Sequence, residues 1–311
     1  MTVCRSPALL FVFVALALSG CRMGVPIHVW QAPEIESTVG KDLVVAEIAG
    51  PKAITKPLQE KLVATAPKDS GRAMKITRAG DLKAHQTIRL VSATSEEPSD
   101  IATMSAAKQA EYDYVLRGEV LADRRPESIK AGDKRLTLSW RLTELGDDQS
   151  TGGQPILIDR ESAIERYPDL AFVADEDELL ITAAARDTFR LLAPSIQRDE
   201  IALAIPYAMP GSRAVRAGNI AALNGRWGEA QQIWSEVVDK HPTQIAALHN
   251  LALAAAAAQD FTTAKTLARK AVRRQPTLRN KKTLVWIELT QREYHRAFGL
   301  PDPPEGWFVT Q

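Results

Sequence analysis

The chain repeats itself at a spacing of 34 residues, and this constrains its C-terminal part more than any other feature does. Adding 34 to Ala217, Gly218, Trp227, Ala230, Trp234, Val237 and Pro242 gives Leu251, Ala252, Phe261, Ala264, Ala268, Ala271 and Pro276. Trp227 falls on Phe261, Ala230 on Ala264 and Pro242 on Pro276, with no gap between the two sets. A repeat of this length holds one helix–turn–helix pair, which cannot bury its apolar face alone and does so by stacking on a neighbour. Ala230 and Ala264 then mark where two helices approach closely, a contact that only small side chains permit. Pro242 and Pro276 lack the N–H that helix continuation needs, so each second helix ends just before its proline. Asn224-Gly225 and Gln259-Asp260 are the turn dipeptides inside the two pairs.

With Gly218, Ala230, Trp234 and Pro242 at favoured types, the stretch resembles the tetratricopeptide repeat (TPR) family; Ala214 and Ala221 depart from it, standing where larger residues are usual. The resemblance implies an all-α stack of helical hairpins over 201–300, two repeats plus a capping helix from Lys282 to Arg296. Its first helices would line a concave groove for a protein or peptide partner. Asn219 and Asn250 coincide with two asparagines of the clamp by which some members hold a peptide's C-terminal carboxylate. The clamp's cationic positions carry Val215, Asn280 and Leu284 instead, with Arg279, Lys281 and Lys282 close by as substitutes. The candidate peptide-binding residues are therefore Asn219, Asn250 and Lys282.

The N-terminus reads as a targeting segment. Arg5 precedes an apolar run from Ala8 to Leu18 that is of signal-peptide length and short for a permanent membrane span. The run closes on Leu18-Ser19-Gly20-Cys21, which resembles the lipobox of bacterial lipoproteins. That resemblance implies a signal peptide over 1–20 and diacylglycerol on the Cys21 sulfur. Two or more acyl chains give stable anchoring where one gives only marginal binding. The alternative is an ordinary secretory signal cut after Ala15-Leu16-Ala17, leaving Cys21 a free thiol. Arg22 after the cysteine, rather than aspartate, resembles the pattern of lipoproteins sent to the outer membrane in preference to the inner one. Residues 21–40, with Pro26 and Pro33, read as a tether.

From 41 to 200 the pattern is α+β. Leu43 to Ile48 is a strand by its β-branched content, closed by Gly50-Pro51. A helix is expected over Ala53–Thr65, a strand over Ile88–Val91, and a helix over Ile101–Ala110 capped by Ser99 or Asp100. Leu136 to Leu145 alternates as a half-buried strand, and Glu178 to Ile196 is amphipathic. Tyr112-Asp113-Tyr114-Val115-Leu116-Arg117-Gly118-Glu119-Val120, a helix running into a strand, resembles the periplasmic α+β domain of the curli secretion lipoprotein family (CsgG-like) and the N-terminal domain of TolB. The resemblance implies a mixed sheet with helices and an envelope setting. The chain lacks the long alternating hairpins of pore-forming members.

No constellation points to catalysis. Ser105-Ala106-Ala107-Lys108 fits a Ser-x-x-Lys tetrad but lacks the companion motifs of penicillin-recognising enzymes. The five histidines are scattered, and both cysteines (Cys4 and Cys21) are N-terminal, so no metal or other cofactor is expected. A net charge of +1 argues against a nucleic-acid surface. Together these features predict a non-enzymatic, lipid-anchored scaffold. The alternative is an oligomeric subunit of a secretion or polymer-export apparatus, in which the α+β half self-associates.

Overall fold

The computed structural model describes residues 24–69, 71–82, 100–121, 134–147, 149–153 and 155–307. Cys21, the lipobox and the strand expected over Ile88–Val91 lie outside the described residues. Two compact units are present. One comprises Trp30–Ser195 with Tyr294–Pro301, the other Ile196–Glu293 with 24–29 and 302–307.

The first unit is α+β. Its sheet contains β2 (Asp42–Val45), β3 (Lys75–Arg78), β4 (Tyr114–Leu121), β5 (Arg135–Glu144), β6 (Ser150–Gly152) and β7 (Ile156–Asp159), in the order β3-β2-β4-β5-β6 with β7 also on β5. β2 runs parallel to β3 and β4, whereas β4 and β5 are antiparallel, with Tyr114 opposite Glu144 and Leu121 opposite Thr137. Leu43 and Val45 face α1 (Lys52–Ala64) and α4 (Glu176–Leu192), packing with Leu58, Leu62, Leu179 and Leu192. Val44 and Ala46 face the other way, onto Ala106 and Ala107 of α2 (Asp100–Gln109). A strand covered on both faces is apolar without alternation, which is why Leu43-Val44-Val45-Ala46 is a continuous run.

Two residues of the stretch from Tyr112 to Val120 have clear physical roles. Asp113 Oδ2 accepts from the Asp42 N–H at 2.8 Å, joining the start of β2 to that of β4. Gly118 lies directly opposite Trp140. A Cβ at Gly118 would sit 2.8 Å from ring atoms of that fully buried indole, so only glycine fits the register.

Two expectations about the chain before the helical pairs are corrected. The segment read as a tether, 21–40, contains β1 (Gly24–Gln31), which pairs with β8 (Ser195–Ala202) and buries Val25 and Ile27. Further on, the Thr38 N–H and hydroxyl bond the Leu192 carbonyl at 2.9 and 3.0 Å, using an acceptor that the end of a helix leaves open. Pro26 is compatible with such a two-stranded ribbon because it need not donate there. The helix expected to reach Ile196 stops at Leu192, because Pro194 drives Ala193 into the extended region (φ −128°, ψ 149°).

The second unit is all-α apart from the β1–β8 ribbon. It holds α5 (Ser212–Leu223), α6 (Trp227–Lys240), α7 (Ile245–Ala257), α8 (Phe261–Arg274) and much of α9 (Leu278–Phe298). The second pair follows the first at the 34-residue offset, α6 ending at Lys240 and α8 at Arg274, each two residues before its proline. Gly225 and Gln259 carry the positive φ values (76° and 63°) that close the turns inside the pairs. Ala230 and Ala264 are fully buried. Gly218 is needed because a Cβ there would lie 2.8 Å from the Trp234 Cδ1; that indole donates to the Val215 carbonyl at 3.2 Å.

Candidate functional site

Between β8 and α5, residues 203–207 run without regular structure along the first helices of the two pairs. Leu203 and Ala204 are buried there. The Ala204 N–H donates to Asn250 Oδ1 at 2.8 Å, and its carbonyl accepts from Asn250 Nδ2 at 3.0 Å and Asn219 Nδ2 at 3.1 Å. Asn250 Nδ2 also donates to Asn219 Oδ1 at 2.8 Å. An asparagine amide carries a donor and an acceptor side by side, so one side chain satisfies both backbone groups of one extended residue. The two asparagines, one on α5 and one on α7, thus hold peptide backbone, and the peptide they hold belongs to the same chain. The sequence placed them in an open groove; their actual partner, Ala204, carries no sequence signal of its own.

The neighbouring segment is held by further side chains. Arg216 Nη2 donates to the Pro206 carbonyl at 3.1 Å, and Gln244 Nε2 to the Pro210 carbonyl at 3.0 Å. Two adjoining cavities of about 590 and 740 Å³ flank it, sharing Ile205, Tyr207, Leu278 and Arg279 as walls. Lys282, Leu253 and Trp286 complete the first. Of the predicted residues, Asn219 and Asn250 therefore meet each other on Ala204, while Lys282 stands apart from them on the cavity wall. Asn280 is buried and bonds His249 Nδ1 at 3.0 Å.

His249 was not singled out in the sequence, and nothing about a lone histidine in an alanine-rich helix would have done so. Burial pushes its pKa from 6.5 down to about 4, with the Arg279 charge adding to the effect and hydrogen bonding to Asn280 and the Ala202 backbone opposing it. The unfolded chain takes up this proton near pH 6.5 and the folded one only near pH 4. Between those values the unfolded state binds more protons, so stability is lost as pH falls through that window, by up to about 3 kcal/mol. Urea unfolding at pH 7.5 and 4.5 checks this: the drop between them should shrink in His249→Gln. An equal drop in both proteins would remove His249 from the account.

At another place on the unit, the buried Lys265 ammonium pairs with Glu305 at 2.5 Å and holds its carboxyl below the usual carboxylate range. Trp307 lies against Lys265 and Arg292, the latter 4.8 Å from the ring centre. The tail thus folds back through Trp307. Ser105 and Lys108 are exposed on α2. Among the described residues no group of three or more His, Cys, Asp or Glu side chains is placed to hold a metal, and no helix is long and apolar enough to cross a membrane.

No family model matches the chain, and no curated protein matches it. Among solved structures, a PelC dodecamer from Paraburkholderia phytofirmans is similar at 14% identity, covering 54% of this chain and 98% of that one with a TM-score of 0.29. A variant of the same dodecamer gives 14% identity over 54% and 97% of the two chains and a TM-score of 0.30. A hypothetical protein of Chlamydia trachomatis is similar at 9% identity over 49% and 92%, with a TM-score of 0.27.

Proposed function

We propose that this chain is a non-enzymatic cell-envelope lipoprotein whose helical unit binds an extended segment of another protein. The observation that carries the reading is the pair of adjoining cavities of about 590 and 740 Å³ beside residues 203–207, with the large side chains of Tyr207 and Leu278 on their shared wall open to water. Side-chain pockets beside a segment laid along the helices supply the selectivity that peptide recognition requires; Asn219 and Asn250, buried and bonded to Ala204, fix that segment and so shape the face. The adjoining cavities are those pockets. The lipobox ending at Cys21 is the basis for placing the scaffold on a membrane, the periplasmic face of the outer membrane being preferred from Arg22.

The reading is tested in the protein's own host with a photo-crosslinking amino acid at position 278, beside intact-mass measurement of the wild type and Cys21→Ser. Expected are discrete cross-links to a second protein and a mass beginning at Cys21 with two or three acyl chains, lost in the variant. Cross-links confined to copies of this chain, together with a ring-sized mass by light scattering, would replace the scaffold by an oligomeric export subunit. A lipid-free mass would remove the anchor and leave the binding face to be judged on the cross-links alone.

A further inference from the structure

The cavity beside residues 203–207 is apolar in its walls and cationic at its rim. Tyr207 and Leu278 are 77% and 69% exposed, large side chains left open to water at its mouth. Arg279 and Lys282 stand one helical turn apart on α9 and also line it. Among the described residues neither has a carboxylate within ion-pair distance. They belong to a longer run: from Phe261 to Ile287 there are eight cations (Lys265, Arg269, Lys270, Arg273, Arg274, Arg279, Lys281 and Lys282) and no Asp or Glu. The whole chain is nearly neutral at +1, so this concentration of one sign is local. Clefts lined by one sign of charge over low-dielectric walls focus the field and select the opposite sign.

Resting on the reading above, we infer that the partner segment is an acidic extended peptide with an apolar residue that fills the Tyr207–Leu278–Trp286 cavity while its carboxylates meet Arg279 and Lys282. The chain's own tail shows the same chemistry on the other side of this run, where Glu305 meets Lys265 and Trp307 meets Arg292. A peptide suits the site better than a membrane surface, because the apolar part is recessed in a cavity of about 590 Å³.

The test is selection of a random dodecapeptide display library on the full detergent-solubilised chain and on the double variant Arg279→Glu/Lys282→Glu, with circular dichroism to show that both are folded. The expected result is enrichment of sequences rich in Asp and Glu around an aromatic or aliphatic residue. An enriched peptide made synthetically should bind the double variant at least about tenfold more weakly and lose affinity as salt rises. Enriched peptides without acidic excess, or with equal affinity for both proteins, would overturn the acidic preference while leaving peptide binding in place. No enrichment at all would overturn the underlying reading. Binding to phosphatidylglycerol vesicles that the double variant loses, with no peptide enriched, would assign the cations to lipid headgroups instead.

Discussion

Asn250→Leu is expected to loosen the helical unit by about 2–5 kcal/mol, because it strands two buried polar groups at once. The Ala204 N–H loses its acceptor and Asn219 Oδ1 loses its donor, while the Ala204 carbonyl keeps only Asn219. Leucine has the same number and branching of side-chain heavy atoms as asparagine and is the bulkier of the two, so the change opens no cavity and the loss is not one of cavity formation. Site-resolved hydrogen exchange gives a more specific readout than global stability. The Ala204 amide should exchange orders of magnitude faster in Asn250→Leu, whereas Asn224→Ala, at an exposed turn, should leave it unchanged. Asn219→Leu should accelerate it less, since Asn219 bonds only the carbonyl. Unchanged protection of Ala204 in Asn250→Leu would mean that residues 203–207 are held by their apolar packing and that the asparagines are incidental to it.

The helical half was legible because its signals are periodic. Small buried residues at Ala230 and Ala264 and proline after the last turn each reflect packing within the 34-residue unit, so the sequence states them twice, while Gly218 against Trp234 is replaced in the second unit by Ala252 and Ala268. Asn219 and Asn250 were also legible as a pair, but only through position. Their partner was not, since Ala204 contributes nothing but backbone, and any residue would present the same N–H and C=O. The tether reading failed for a related reason. Pro26 and Pro33 suggested irregular chain, yet Val25 and Ile27 alternate well enough for a strand, and the bonds from Thr38 to Leu192 are long-range. Lys265 was similarly hidden: a lysine on a strongly amphipathic helix reads as solvated, and only Glu305, forty positions on, explains its burial. In the α+β half, the continuous apolar run of β2 and the register of Gly118 against Trp140 follow from a sheet covered on both faces, which the element order already implied.

The second large effect lies in that α+β half, at Asp187 on α4. Its carboxylate is only 3% exposed and receives the Arg166 Nη1, the Tyr167 hydroxyl at 2.8 Å and, at 3.7 Å, Arg190. Arg166 belongs to α3 (Arg160–Arg166), which opens with a capping box between Asp159 and Ser162. Arg166 Nε also donates to the Ser162 carbonyl at 3.1 Å, so the guanidinium fastens the short α3 to the long α4. Arg166→Met leaves the buried carboxylate with a hydroxyl and a more distant cation, and should cost about 3–5 kcal/mol in urea unfolding. Asp187→Leu should cost less, because the Arg166 side chain is 28% exposed and can turn to water, while Tyr167 gives up a charge that, after burial, does most to hold its hydroxyl protonated. The decisive measurement is the double variant. If the pair is maintained against its own desolvation, replacing both partners by apolar groups should recover most of the loss from Arg166→Met, with a coupling of about 2 kcal/mol or more. Additivity within about 0.5 kcal/mol would show that the two side chains act independently and that α3 is held to α4 by its apolar contacts.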